Sequence, residues 1–223
     1  MCTVVCRSSP GEPVRLLALR DEFVARDFDE PGTWWPDQPS VVGGRDRVAG
    51  GSWCVTDVAT GVTALLVNRT ERIEGTPSRG ALPLAAVAAG DGWPDVVDHR
   101  AMASFNLITA GPDGVVVWIW DAVELRRTEV GAGTHLITSQ GVDAADPRTL
   151  RFGPQFTDRP WVDVVTSTSP SGEDSALVVR REHEGRTYAT VFGQSITSTP
   201  GALQISCSRT PWRAGTWAER SWP

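Results

Sequence analysis

Histidine is scarce in this chain, and its three copies stand apart. His99, His135 and His183 have no second His or Cys three or four residues away. That excludes the paired spacings that hold zinc and the Cys-x-x-Cys-His run that attaches haem covalently. Each reads as a lone polar residue of surface or core, and no metal site is expected. Cysteine is nearly as sparse: Cys2, Cys6, Cys54 and Cys207 make no staple pattern. If residues 2–6 form a strand, Cys2 and Cys6 share a face but lie about 13 Å apart at ~3.3 Å per residue, beyond disulfide reach. Reduced thiols and a cytoplasmic setting fit that pattern. Long apolar runs are missing too, since the longest, Leu82 to Ala89, is far too short to cross a bilayer. The N-terminus lacks the basic segment and apolar core of a secretory signal. Positive charge is in deficit, 21 Lys and Arg against 27 Asp and Glu for a net charge of −6, and no basic patch marks a nucleic-acid partner.

What is present is enough for one well-buried core: 223 residues at 24.0 kDa, read as one domain over 1–223. Ten Trp against one Tyr is the odd ratio, and large indoles anchor cores or line pockets equally well. Residues 2–6 and 14–19 are β-rich runs flanking the turn cluster Ser8–Pro13, which predicts a hairpin with Arg20 to Glu22 at its mouth. Pro31, Pro36 and Pro39 predict an irregular segment over 29–44, a lid that Trp34 and Trp35 would roof. Residues 50–58 and 62–67 predict a second hairpin. The Ala/Leu-rich stretch 82–89 predicts a helix, and 93–102 another. Strands are expected at 104–110, 115–120, 123–130 and 135–138, and again at 161–167, 176–181, 187–192 and 203–208. Glu184-Gly185 reads as a hairpin turn, and 141–160 as loop. Strands around a helical block make the fold class α+β.

The chain starts Met1-Cys2-Thr3-Val4-Val5-Cys6. Removal of Met1 would give one residue both a nucleophilic thiol and a free α-amine that titrates at roughly 7.7–8, which together can carry out acyl transfer. The alternative is a buried Cys that opens a core strand. Further on come Val14–Phe23, an apolar run ending in Arg20-Asp21-Glu22, then Trp34-Trp35-Pro36-Asp37, Gly43-Gly44-Arg45-Asp46 and Gly50-Gly51-Ser52-Trp53. The glycine pairs lack a Gly-Lys-Ser/Thr ending and read as turns flanking a strand, with Arg45 a weaker candidate for an anionic ligand.

In this order and spacing the chain resembles the NRDE family, also called the transport-and-Golgi-organisation-two family. The match runs over residues 1–68 and more loosely at Phe105-Asn106-Leu107 and Phe192–Ser195. Two positions depart from the family pattern: Leu19 stands where its name-giving Asn would be, and Ser139-Gln140 where a Ser-Asn pair is usual. The resemblance implies an N-terminal-nucleophile-hydrolase-like fold, a four-layer αββα sandwich of two antiparallel sheets. The Pro- and Gly-rich stretch 141–175 suggests that one helical layer is reduced.

The resemblance also implies chemistry. Cys2 would attack an acyl carbonyl, with Arg20 and Asp21 holding thiol and amine in place; a guanidinium beside Cys2 would favour thiolate. Read alone, Arg20 and Asp21 could equally be a surface ion pair. Asn68 and Asn106, amides set in apolar strands, would stabilise the oxyanion or else tie strand ends. The resulting expectation is hydrolysis of an amide or ester of a small acyl substrate, with no cofactor required. The rival is a non-catalytic protein that binds or carries haem or an acyl lipid.

Overall fold

The computed structural model describes residues 2–71, 74 and 77–223, and its strands fall into two antiparallel sheets. In chain order the first sheet-forming elements are β1 (Thr3–Ser8), β2 (Arg15–Phe23), β3 (Phe28–Gly32), β4 (Val41–Asp46), β5 (Cys54–Asp57) and β6 (Val62–Asn68). Helices α1 (Ala81–Ala89) and α2 (Trp93–Val96) follow. Then come β7 (Phe105–Gly111), β8 (Gly114–Trp120), β9 (Leu125–Val130), β10 (Gly133–Thr138) and β11 (Gly141–Val142). Helices α3 (Pro147–Asp158) and α4 (Trp161–Thr166) precede β12 (Arg180–His183), β13 (Arg186–Thr199), β14 (Ala202–Ser208) and β15 (Ala218–Trp222). One sheet runs β11-β10-β1-β2-β13-β14-β15 with β12 also on β13, and the other runs β3-β4-β5-β6-β7-β8-β9.

The packing makes four layers. Val4, Cys6, Leu16 and Ala18 of the first sheet meet Val42, Cys54, Leu65 and Ile108 of the second in a core between the sheets. The alternate residues Val5, Leu17 and Leu19 point the other way, onto Phe152, Phe156, Trp161 and Val164 of α3 and α4. On the far side, Val55, Ala64, Phe105 and Leu107 pack under Leu82, Ala86 and Trp93 of α1 and α2. With both faces of β1 and β2 covered, apolar residues are needed at every position, which is why these strands show no alternation in sequence. This is the αββα sandwich that the resemblance implied, rich in strand and with short helices.

Several expectations are corrected. Segment 29–44 is irregular over 33–40 as expected, but its ends belong to β3 and β4, and neither Trp34 nor Trp35 roofs the cavity described below. Pro31 is tolerated because β3 is an edge strand with a register shift between Asp29 and Gly32, where a missing N–H breaks no ladder. Gly43 and Gly44 are strand residues, not turns; a Cβ on Gly43 would sit 2.4 Å from the Cys54 carbonyl oxygen, and one on Gly44 2.3 Å from the Trp53 ring. Trp34 is surface-exposed and donates to the Glu30 carbonyl at 3.0 Å. Segment 141–167, expected as loop and strand, instead holds α3 over 147–158 and α4 over 161–166. Asp146 caps α3 by accepting from the Arg148 and Thr149 amides, Pro147 suits the first turn, and Arg148, Phe152 and Phe156 form a buried stripe at i, i+4, i+8. The helix expected over 93–102 stops at Val96, because Val97 is extended.

Other expectations of local structure hold. The β1–β2 hairpin, α1 and the two-residue Glu184-Gly185 turn are present, the last with φ of 50° and 73°. All four cysteines are free. His99 is a core residue, its ring edge-on to Trp93 and Trp120. Among the described residues no helix is long and apolar enough to cross a membrane, and no group of three acidic, His or Cys side chains could hold a metal.

Candidate active site

The cavity around Cys2 begins with a mismatch in strand length. β1 pairs with β2 only as far as Thr3 opposite Leu19, whereas β13 continues along β2 to Tyr188 opposite Phe23. Arg20, Asp21 and Glu22 therefore belong to β2 itself rather than to a hairpin mouth, and they lack a β1 partner on one side. Cys2 sits at that step. It is half-buried and packs on the inter-sheet core, and its thiol donates to the Asp21 carbonyl at 3.8 Å. It opens into a cavity of about 380 Å³ that Arg20, Asp21, Trp53, Asn68 and Arg79 also line. Met1, whose removal would free the amine, lies outside the described residues.

Strand alternation sends Arg20 and Asp21 to opposite faces of the sheet. Arg20 follows Leu16 and Ala18 toward the inter-sheet side. Its guanidinium carbon lies 4.9 Å from the Phe28 ring centre and 4.4 Å from that of Trp53, and its side chain is 5% exposed. Nη2 stands 3.6 Å from both Glu22 Oε2 and Asp46 Oδ2, while Nη1 is buried with no hydrogen-bond partner among the described residues. Burial pushes the Arg20 pKa down, and Glu22, Cys2 and Asp46 push it back up, leaving a net fall. Guanidinium stays charged in proteins, so this is a desolvated cation with a free donor beside a thiol. The neighbouring acids are already engaged. Asp46 accepts from Arg26 Nε at 2.6 Å and from the Val48 and Ala49 amides at 2.9 Å. Partial burial raises its pKa, but these bonds outweigh that and hold it below the usual carboxylate range.

The Asp21 side chain follows Leu17 and Leu19 toward α3. It is fully buried, accepts from Thr190 Oγ1 at 2.6 Å, and lies 3.6 Å from Arg148 Nη1. Arg148 in turn donates to Thr3 Oγ1 at 2.6 Å, so α3 holds the first residue of β1 and the carboxylate of β2 from behind the sheet. The Asp21 carbonyl faces the cavity side and accepts from both the Cys2 thiol and the Tyr188 hydroxyl, the latter at 3.0 Å.

Arg20 acts on the Cys2 thiol in the expected direction, favouring thiolate, but larger effects oppose it. Burial pushes the Cys2 thiol up, the Asp21 charge adds to that, and Arg20 only partly offsets them. The two asparagines also part company. Asn68 ends β6, is exposed, lines the cavity, and its side chain has no hydrogen bond among the described residues. Asn106 does not line it. Its amide nitrogen donates to the Thr138 carbonyl at 2.8 Å and its oxygen accepts from Arg69 at 3.0 Å, so it ties the two sheets together. Ser139 and Gln140 line a separate cavity of about 300 Å³ beside Arg148. Arg45 is paired with Asp29 at 2.7 Å and lies outside the Cys2 cavity.

The outer wall came from residues that sequence reasoning passed over. Gly51 and Gly80 meet backbone to backbone: a Cβ on Gly51 would fall 2.4 Å from the Gly80 carbonyl carbon. The Ser52 amide donates to Gly80 at 2.8 Å. This contact presents Arg79, which donates to the Ser104 carbonyl at 2.8 Å, and sets Trp53 against Arg20. The Gly50-Gly51 pair was the one signal available, and its meaning depends on a partner 29 positions later in the chain.

Against known proteins, the family model described as Transport and Golgi organisation 2 matches residues 1–167. A search of curated protein sequences returns no match. Among solved structures, the Caenorhabditis elegans ortholog of N-acylethanolamine-hydrolyzing acid amidase aligns over 100% of this chain and 99% of its own. The sequence identity is 11% and the TM-score 0.47.

Proposed function

Since the chain belongs to the Transport and Golgi organisation 2 family, we propose that it is a hydrolase of small acyl amides or esters with Cys2 as an N-terminal nucleophile. The observation that carries the reading is the Cys2 thiol at the step where β1 ends, opening into a cavity that the desolvated Arg20 cation also lines. A desolvated cation attracts negative charge more strongly than a hydrated one, so an oxyanion formed near it is stabilised.

The steps follow from the groups present. With Met1 removed, the Cys2 amine takes the thiol proton as sulfur attacks the acyl carbon, which suits a thiol that burial keeps protonated at rest. The Arg20 guanidinium and the Asn68 amide stabilise the carbonyl oxygen as it becomes negative. The ammonium returns its proton to the leaving amine or alcohol, and the C–N or C–O bond breaks to leave a thioester. Water, deprotonated by the same amine, then attacks the thioester and releases the carboxylic acid and the thiol. Asp21 is a positioning residue, since its carboxylate, held by Thr190 and Arg148, steadies the strand next to Cys2.

The rival ligand class, haem, does not fit these residues. Four arginines and the acidic residues Glu22 and Asp46 line the cavity, none of its described lining residues is a His, and burial raises the pKa of the thiol that would ligate iron.

The test is to measure the intact mass of protein purified from cells and to assay acyl-amide and ester hydrolysis by wild type and Cys2→Ala. The expected result is loss of Met1 and a fall in turnover of at least ~10³-fold in the variant, with an unchanged melting temperature. Retained Met1 in most molecules, or full activity in Cys2→Ala, would sink the proposal.

A further inference from the structure

The cavity's ionic walls do not cancel locally. Arg26 is taken up by Asp46, and the Asp21 carboxylate faces Arg148 on the far side of the sheet. Glu22 lies 3.6–3.7 Å from Arg20 and Arg26. Arg79 and Arg186 are left over: neither has a carboxylate within 4 Å among the described residues. Arg79 spends one nitrogen on a neutral carbonyl, that of Ser104, and is otherwise uncommitted. Arg186 is an exposed residue of the cavity wall, and its guanidinium carbon stands 3.8 Å from the Phe23 ring centre, a cation–π contact that leaves its N–H donors available. Burial pushes the Arg79 pKa down, a sign of a cation short of counter-charge. A partly buried cation lacking an anion is costly on its own and well suited to receive one, and the planar fork of Arg matches two-oxygen anions.

We propose that the ligand of this cavity carries a carboxylate or phosphate group, held by Arg79 and Arg186 while the acyl carbonyl meets Cys2. This rests on the reading of the cavity as a substrate site, and it names the substrate class as an anionic acyl amide or ester. The neutral analogue with the same acyl chain loses the counter-charge and binds more weakly.

The experiment measures binding separately from turnover. Cys2→Ala protein is titrated calorimetrically with N-decanoylglycine, N-decanoyl-O-phosphoethanolamine and neutral N-decanoylethanolamine, and wild type is assayed on the same three. At least one anionic ligand is expected to bind ~10-fold or more tightly than the neutral one, the equivalent of one charge-assisted contact. The stronger of the two anions identifies the group. Arg79→Gln and Arg186→Gln each remove most of that preference and leave the neutral ligand unchanged, and Arg186→Lys restores part of it. Circular dichroism checks that each variant is folded. Equal binding of all three ligands, no binding of any, or a preference untouched by both Gln variants overturns the proposal. Anion binding without cleavage in wild type would instead remove the hydrolase reading and leave this one standing, whereas cleavage without charge preference would do the reverse.

Discussion

The two faces of one strand treat their charged residues in opposite ways. On the side of β2 toward α3, Asp21 is fully buried and satisfied: Thr190 donates to it, Arg148 lies beside it, and Arg148 is itself anchored on Thr3. On the side toward the second sheet, Arg20 is almost as deeply buried, yet Nη1 has no partner among the described residues, and Glu22 and Asp46 stand at 3.6 Å while accepting at closer range from the Phe23 amide and from Arg26. A saturated buried pair holds a fold together, since removing either member strands the other. An unsaturated one leaves interaction energy for something not yet present. One residue apart in sequence, Asp21 thus serves the scaffold and Arg20 the cavity.

That contrast can be broken most strongly from the scaffold side. Asp21→Ala leaves Arg148 buried without its carboxylate and is expected to lower unfolding stability by about 3–5 kcal/mol in urea titrations. A loss under ~1 kcal/mol would mean that the outer face is not the structural one. Next is the wall that keeps the inner face open. Gly51→Ala drives a Cβ into the Gly80 carbonyl, so a cost of about 1–3 kcal/mol is expected together with a displaced Arg79. Unchanged stability and unchanged ligand binding would show that the two loops part freely.

Thiol reactivity sharpens the comparison further. Cys2 opens to the cavity, whereas Cys6, on the same strand face, is fully buried and burial pushes its thiol up to about 12. Iodoacetamide should therefore label Cys2 at least ~10-fold faster than Cys6 in folded protein, as read by peptide mapping. Because the Cys2 thiol is itself raised, its rate should keep climbing as pH rises past the ordinary thiol range instead of levelling there. The sign for stability runs the same way. A Cys6 pKa raised on folding favours the native state below about pH 9, and that contribution is lost as pH rises toward 12, so Cys6→Ala should flatten the alkaline decline. The smallest expected effect is Arg20→Met. Replacing a desolvated cation and its unpaired donor with an apolar chain of similar length should change stability by less than ~1 kcal/mol while weakening turnover. A large destabilisation would show that Arg20 holds the fold and that the two faces are alike.

The contrast also explains what was readable in advance. The β1–β2 hairpin followed from an apolar run on each side of a Pro-Gly turn, and Cys2, Arg20 and Asp21 stood out because charge ends that run abruptly. Local pattern could not say that charges in the middle of a sheet strand point alternately to a cavity and to a helix, since that depends on what covers each face. Helix α3 was missed because Pro147, Gly153 and Pro154 read as breakers, while its buried stripe Arg148-Phe152-Phe156 has meaning only against Val5, Leu17 and Leu19. Asn68 and Asn106 are alike in sequence context, yet one ends its strand at the cavity and the other crosses between sheets to Thr138.

Composition and local order determined that this chain is α+β, keeps its thiols free and puts a cysteine at the head of a core strand, because turn chemistry, apolar runs and residue spacing act over a few neighbours. The tertiary structure alone decided which charges are spent and which are left over. Arg148 reaches Asp21 across 127 positions and Gly80 closes on Gly51 across 29, and only contacts of that range determine whether a buried charge has found its partner.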